Sequence, residues 1–242
     1  VTTLGDFGLR GELPSHPELL DWLAVTFMES GWDLKALSRL IVTSSTYRQS
    51  SRLTPEFLKQ DPGNRFLARG PRFRLSAEQI RDNALAAAGL LVDQVGGPSV
   101  YPVQPKGVGE YRDATAGTWQ TSDGEGRYRK SLYTFWQRTS PYPSLTLFDA
   151  PSRERSCVRR SKTNTPLQAL VLLNDPIYVE MAAALAARIQ AASVKEGDRL
   201  AFAFKVVLGR SPTEEESERF DAFARVLSGQ GKGDAHVWQS IA

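Results

Sequence analysis

Helix-start signals recur along this chain and constrain its fold more than any other feature. Each has a Ser, Thr or Asp that can accept hydrogen bonds from free backbone N–H groups, and most add a first-turn proline or a Glu or Gln three residues after the cap. The signals are SHPE at 15–18, SAEQ at 76–79, TPLQ at 165–168, SPTE at 211–214, DP at 175–176 and the single cap Asp33. Because all of them mark helix entry, the sequence predicts a mainly α fold.

Apolar residues follow several of these caps at helical spacing, which places them on one face of each predicted helix. We expect these faces to lie in a core, and we expect Gly209 to end a helix as its C′ residue. The faces comprise Leu19, Leu20, Leu23, Phe27 and Met28, then Leu34, Leu37, Leu40 and Ile41, and later Phe220, Phe223, Ala224 and Leu227.

The composition changes between residues 96 and 150, where Gly and Pro become frequent and five of the seven tyrosines occur. The stretch 107–126 is typical of a long loop, whereas alternating side chains in RKSLYTFWQRT, residues 129–139, predict a short β-strand. We therefore expect one domain made of a helical lobe at 1–95, an irregular, aromatic, Gly/Pro-rich insertion with short β-strands at 96–150, and a second helical lobe at 151–242.

Composition excludes several classes of protein. The net charge of +3 is too small and scattered to indicate a nucleic-acid partner. The single cysteine, Cys157, excludes an internal disulfide and any cysteine-built zinc or iron–sulfur site in this chain, and the CxxCH haem motif is absent. No run of eighteen apolar residues occurs, so no membrane span is predicted. We expect no metal and no cofactor in this chain.

The histidine at position 16 has two interpretations. An H-x-E triplet occurs in zinc deaminases, but those enzymes also need a PCxxC motif that one cysteine cannot supply. The favoured interpretation is a helix entry in which Ser15 is the cap, Pro17 lies in the first turn and Glu18 completes a capping box. His16 remains a site candidate only if distant residues converge on it.

Charged residues near the third predicted helix also allow two interpretations. Glu78 and Arg81 are i and i+3 neighbours, and Arg74 could fold back onto Glu78, so an internal ion-pair network is favoured over a substrate-binding cluster. An enzyme would instead need the polar residues of several segments to meet in one pocket, although no catalytic residue can be assigned. The candidates are Asp6, His16, Arg74, Glu78, Arg81, Arg138, Asp149 and Asn174.

The segment SRERSCVRRSK, residues 152–162, crowds arginines around Cys157. Planar guanidinium groups bind oxyanions bidentately, which makes this a candidate anion-binding segment, but an ordinary solvated loop is about equally plausible. A nucleophilic thiol is the weaker hypothesis because its general base is not evident. The anion-binding candidates are Arg153, Arg155, Arg159 and Arg160.

Aromatic residues of the middle region could stack on a sugar or peptide, or could cover a small satellite core; the sequence favours neither. The stacking candidates are Trp119, Trp136 and Tyr133. A sugar site requires these rings to be exposed in a row or cleft.

Five motifs in order along the chain carry a family resemblance. They are DFGLRGELPSHPELLDWLA, GWDLKALSRLIVTSSTYRQSS, DPGNRFLARGPRFRLSAEQIRDNALAAAGLL, KSLYTFWQRTSPYPSLTLFDAPSRERSC and TNTPLQALVLLNDP. Together they resemble the planctomycete surface domain 1 family (domain of unknown function 1553) over nearly the whole chain. The family pattern usually continues past the last residue, and the sequence opens at Val1 without Met, so we expect a domain truncated at both ends.

The resemblance implies a cellular context more than a chemistry. It implies the C-terminal module of an exported, often cytochrome c-associated protein in the periplasm or at the cell surface, with any haem in other domains. From it we expect a non-haem module that binds or scaffolds beside other domains of the same polypeptide and handles polysaccharide. The alternatives are a hydrolase or redox-linked enzyme acting on carbohydrate, and an anion-binding module.

Overall fold

A computed structural model of the 242-residue chain describes residues 3–6, 8–107, 119–192 and 196–241. The protein is mainly α-helical, as predicted. Its internal contacts divide it into two compact units, Val1–Arg74 and Leu75–Ala242. We describe each unit by itself.

The first unit contains a 3₁₀ turn at Gly8–Arg10 and three helices, α1 (Pro17–Glu29), α2 (Leu34–Thr43) and α3 (Pro55–Gln60). Helix α1 packs against α2. The prediction that the apolar faces of α1 and α2 form a core is wrong, since no residue of these helices is buried and Leu20 is 50% exposed. Two helices lying side by side shield only the seam between them, which leaves their outer apolar faces exposed.

The cap signals of the first unit have different outcomes. Asp33 caps α2 as predicted, because its carboxylate accepts hydrogen bonds from the backbone N–H groups of Lys35 and Ala36. The capping box predicted for Ser15 and Glu18 is wrong. The N-cap of α1 is His16, and the Ser15 hydroxyl lies 3.0 Å from His16 Nδ1 instead. Pro17 starts α1 without a side-chain cap, since its fixed φ already suits the first turn.

The second unit is built around one central helix. Its helices are α4 (Ala77–Ala88), α5 (Pro143–Leu147), α6 (Pro166–Asn174), α7 (Pro176–Ala192), α8 (Glu196–Leu208), α9 (Glu214–Gly229) and α10 (Asp234–Ile241). Helix α7 contacts α4, α6, α8 and α10. Its Ile177 and Ile189 are fully buried together with Leu85 of α4. Helix α4, predicted in the first lobe, therefore shares a core with the last helices of the chain, whereas the single truncated domain stays a prediction.

Helix ends in the second unit follow the sequence closely but not everywhere. The Ser76–Gln79 capping box forms at α4, and Gly209, with a φ of 69°, follows the last residue of α8 as predicted. The box predicted at Ser211 and Glu214 is wrong by two positions, since Thr213 and Glu216 form it. The Glu216 carboxylate also binds both Nη atoms of Arg210 at 2.6 and 2.7 Å, which favours this later start.

The predicted strand at 129–139 is reduced to single-residue pairings. Arg129 pairs with Val92 and Thr134 pairs with Val100, both in parallel orientation. Between the paired positions the chain makes a 3₁₀ turn at Ser131–Tyr133, so the alternation of side chains does not continue as a ladder. A second 3₁₀ turn, Gly124–Tyr128, ends the predicted loop at 107–126, of which residues 108–118 lie outside the described part.

Within the described residues, no single helix is long and apolar enough to cross a membrane. Helices α6 and α7 would reach the required length and apolarity only as a pair, and they meet at a bend of 59°. Six residues of α7 are buried in the protein.

The pKa of Glu216 gives a test of the α9 cap. Hydrogen bonds from Arg210 lower this pKa to about 2. A carboxylate whose pKa is lower in the folded than in the unfolded protein stabilises the folded state at pH values above its unfolded-state pKa. This stabilisation is lost as the pH falls through the folded-state pKa. We expect Glu216→Gln to be less stable than the wild type at neutral pH, and the difference to shrink between pH 4.5 and 2. Urea unfolding across that pH range measures it.

A control variant separates the cap from general charge effects. Glu218 lies on the same helix outside the box. Glu218→Gln should show no comparable pH-dependent difference, and an equal effect in both variants would contradict the assignment.

Candidate functional site

A segment between Asp149 and Thr163 forms the candidate site, and we call residues 150–162 the arginine loop. It carries five cationic side chains against one carboxylate, a formal charge of +4, whereas the whole chain carries +3. Other stretches carry the same charge, such as residues 62–77 with four arginines and no carboxylate, so the positive charge is scattered along the chain as predicted. The loop has no α-helix or strand, and nearly all its residues are exposed.

The two ends of the arginine loop are held together by one carboxylate. The backbone N–H of Thr163 donates to Asp149 Oδ2 at 2.7 Å, and the Thr163 hydroxyl donates to both Asp149 oxygens at 3.0 Å. The buried Gln168 of α6 adds bonds from its Nε2 to the Thr163 hydroxyl at 3.1 Å and to the carbonyl of Leu147 at 2.8 Å. The loop thus has a fixed base, as functional Ω-loops do.

Asp149 has a backbone conformation that suits this role. Its φ of 64° lies in the left-handed region, which costs a non-glycine residue free energy but is tolerated best by Asp and Asn. The bonds from Thr163 hold the residue in that conformation. Asp149 is a candidate-pocket residue, and in the structure it binds the protein's own backbone.

Two further contacts tie the loop to the rest of the second unit. Arg160 Nη1 donates to Glu78 Oε2 of α4 at 2.7 Å, and the guanidinium of Arg153 lies over the Trp136 ring at 4.7 Å. Trp136 Nε1 donates to the carbonyl of Ser152 at 3.3 Å. Burial raises the pKa of Glu78, but backbone and Arg160 hydrogen bonds outweigh it, so the net shift is downward and the pair is ionic.

The loop therefore divides its arginines into two kinds. Arg153 and Arg160 have partners within the protein, while Arg155 and Arg159 are exposed on either side of the exposed Cys157. Exposed guanidinium groups on a fixed loop can bind sulfate, phosphate or carboxylate groups bidentately.

The remaining candidate-pocket residues lie in both units. Asp6, His16 and Arg74 belong to the first, and Glu78, Arg81, Arg138 and Asn174 to the second. Asp6 and Arg138 are exposed, and His16 is half-buried at the start of α1. Asn174 is exposed at the end of α6, where its amide donates to the carbonyl of Leu170.

Arg81 is fully buried and binds the protein backbone. Its Nη atoms donate to the carbonyls of Arg127 at 2.7 Å and Arg129 at 2.9 Å, and to the Ser131 hydroxyl at 3.2 Å. Burial lowers the Arg81 pKa, and the nearby Asp82 carboxylate partly offsets this effect. The predicted Glu78–Arg81 ion pair does not form, because Glu78 pairs with Arg160.

The three stacking candidates are half-buried and engage the protein's own groups. Trp119 stacks on Tyr142 with ring centroids 5.6 Å apart and donates to the carbonyl of Pro102. Tyr133 lies beneath the guanidinium of Arg129 at 3.9 Å. Only Trp136 is in direct contact with the arginine loop, through Arg153 and Ser152.

Two features of the second unit had no local sequence signal. Tyr128 and Arg127 both donate to the Glu180 carboxylate, and burial together with Glu180 raises the pKa of Tyr128. A mostly apolar groove of about 700 Å³ lies among α4, α6, α7 and α10 and includes His236 on its wall. Glu180 is more than 50 positions from Arg127 and Tyr128, and the groove brings together helices from distant parts of the chain, so no local spacing rule predicts either feature.

In the described part of the chain, no group of three or more His, Cys, Asp or Glu side chains is placed to hold a metal ion.

The buried Arg81 gives a stability prediction. Arg81→Met removes the donor from three acceptors, of which those of Arg129 and Ser131 belong to buried residues. We expect the free energy of unfolding to fall by roughly 3 kcal/mol, because each unpaired buried group costs about 1–3 kcal/mol. Urea unfolding followed by circular dichroism measures the change. The matched control Arg219→Met breaks an exposed pair with Glu215 and should cost about 0–1 kcal/mol. Equal losses in the two variants would contradict the role of Arg81.

The clamp at Asp149 gives a second prediction. Asp149→Ala removes the acceptor for Thr163, so the arginine loop should open more often, and trypsin should cut it roughly tenfold faster because the lost bonds are worth about 1.5–3 kcal/mol. Limited proteolysis with mass spectrometry locates the cuts. Asp149→Asn keeps a carbonyl acceptor and tolerates the positive φ, so it should stay closer to the wild type. Unchanged cutting in Asp149→Ala would show that the clamp does not hold the loop.

Comparison with known proteins identifies a family but no activity. No curated protein and no solved structure matches the chain. The family described as a protein of unknown function (PSD1, DUF1553) matches residues 1–224. The match covers the first unit and residues 75–224 of the second, including the entire arginine loop. The chain therefore belongs to the DUF1553 family.

Proposed function

We propose that this chain is a binding module that holds an anionic polysaccharide through its arginine loop. The observation that carries the proposal is the charge of +4 on a loop whose ends are clamped by Asp149 and Thr163. A fixed loop has already lost the conformational entropy that a flexible segment would lose on binding, so its exposed Arg155 and Arg159 bind at lower cost.

A glycan fits the surroundings of the loop better than a nucleic acid. The residues outside the loop carry a formal charge of −1, the difference between +3 and +4, so the rest of the chain has no net excess of cations. Nucleic-acid binding relies on many phosphate contacts along a basic face. A sulfated or uronic-acid sugar needs only local cations, which the exposed Arg155 and Arg159 supply.

We place this module in an exported multidomain protein, at the cell surface or in the periplasm, beside other domains of the same polypeptide. Membership of the DUF1553 family supports this proposal through the family's usual context. Association with a cytochrome c domain is part of the same proposal, and any haem would belong to that domain. The arginine loop would then bring an anionic polymer close to the neighbouring domains.

A hydrolase or redox-linked enzyme acting on carbohydrate is the competing proposal. It requires candidate carboxylates that are available to a substrate. Glu78 is bonded to Arg160 and Asp149 to Thr163, so each of these two carboxylates has a structural role. These contacts favour the binding role over the enzymatic one.

Dextran sulfate binding tests the proposal. Arg159→Ala removes one exposed guanidinium and should weaken binding about tenfold, since hydrogen bonds to charged groups are worth about 1.5–3 kcal/mol. The wild-type affinity should also fall as salt increases, because the charges are exposed to screening. Isothermal titration calorimetry in low and high salt measures both effects.

The matched control is Arg225→Ala, an exposed arginine of α9 outside the loop. It should bind dextran sulfate like the wild type. Equal weakening by both variants would indicate a diffuse charge effect, and salt-insensitive binding would contradict the anionic ligand.

A further inference from the structure

Helix α6 presents an unusual surface immediately after the arginine loop. Its sequence, PLQALVLLN, contains no charged residue. Leu167, Leu170 and Leu173 are 59%, 52% and 72% exposed, and we call these three leucines the α6 face. The opposite side of the helix is anchored, since Gln168 is buried and Val171 packs against the core. The α6 face is therefore an apolar surface on a fixed helix.

The α6 face and the arginine loop are parts of one connected structure. Gln168 of α6 donates to the Thr163 hydroxyl that closes the loop, and the backbone N–H of Thr165 donates to Gln168 Oε1 at 3.1 Å. At about 1.5 Å of rise per residue, α6 is only about 13 Å long, so its leucines lie near the loop base. The three leucines thus lie within about one helix length of the closed base of the cationic loop.

We propose that the α6 face and the arginine loop together dock on the surface of an anionic lipid membrane. The inference rests on the proposed function in one respect, the binding of anions by the loop, and it adds the lipid headgroup as a second source of those anions. Stable attachment to a membrane surface usually takes two signals, and an apolar insertion beside a polybasic segment supplies both.

Charge complementarity favours a membrane over a protein as the occupant. The cations lie in the loop at the base of α6, where they would meet headgroup phosphates while the leucines reach the acyl boundary. Helix α6 carries no charged side chain of its own that could form an ion pair with a protein partner. Docking leaves α7 in the core, since only the outer side of α6 takes part.

Vesicle co-sedimentation of the whole 242-residue chain tests the inference. The protein should sediment with vesicles of phosphatidylcholine mixed with phosphatidylglycerol and much less with phosphatidylcholine alone. Leu170→Gln with Leu173→Gln should weaken sedimentation at least tenfold, because the inserted apolar area is lost. Arg155→Gln with Arg159→Gln should weaken it about tenfold on the anionic vesicles.

A pair of controls removes two other apolar residues that are more than half exposed. Leu208 and Val226 are 55% and 58% exposed and lie on α8 and α9. The double variant Leu208→Gln and Val226→Gln should sediment like the wild type. Circular dichroism of all the variants checks that the helices persist.

The outcomes separate this inference from the proposed function. Membrane docking is overturned if the leucine variant sediments like the wild type, or if the wild type does not sediment. It is also overturned if the leucines instead support a concentration-dependent dimer in solution. Dextran sulfate binding should be unchanged in the leucine variant and weakened in the arginine variant. If dextran sulfate does not bind while vesicle sedimentation needs both signals, the membrane inference stands and the polysaccharide proposal fails.

Discussion

The burial of Arg81 joins the two kinds of structure in the second unit. From the middle of α4 its guanidinium reaches three acceptors in residues 127–131, so the helical core and the irregular aromatic segment share one set of hydrogen bonds. A cation is costly to bury unless its donors are used, and this cost makes the position of the segment specific. The same segment continues to Trp136, on which Arg153 of the arginine loop lies. The placement of the loop thus depends in part on a residue that no solvent reaches.

Ion pairs and hydrogen bonds, more than apolar packing, hold the candidate site. Asp149 closes the arginine loop and Glu78 tethers its far end, so two carboxylates are used to hold a segment with an excess of cations. Arg160 is paired with Glu78 at the surface, whereas Arg155 and Arg159 are exposed on either side of Cys157. The apolar contribution comes from α6, whose inner side packs while its outer leucines remain exposed. The exposed arginines and the exposed leucines therefore belong to segments that Gln168 joins and the core holds in place.

The sequence predicted those parts of the fold that depend on neighbouring residues. Caps at Asp33 and Ser76 and the end at Gly209 are local, and they were confirmed. The prediction that the apolar face of α1 is buried was wrong, because periodicity shows which side of a helix is apolar but not whether another element covers it. The anion-binding candidates were found from composition, whereas the Asp149–Thr163 clamp and the Glu78–Arg160 pair join residues 14 and 82 positions apart and leave no periodic trace. The local i, i+3 rule even favoured the wrong partner for Glu78.

A loop clamped at its base separates ligand recognition from folding. The entropy of closing a loop rises only slowly with its length, by about 0.6 kcal/mol for each doubling, so insertions between Asp149 and Thr163 cost little once the ends are joined. Substitutions in the loop between those ends likewise leave the buried core of α4 and α7 untouched. We therefore expect the exposed Arg155 and Arg159 to tolerate substitution, whereas Arg153 and Arg160 also hold the loop against Trp136 and Glu78. Because the Asp149–Thr163 clamp closes the loop, substitutions at its exposed positions can change ligand specificity with little effect on the stability of the helical core.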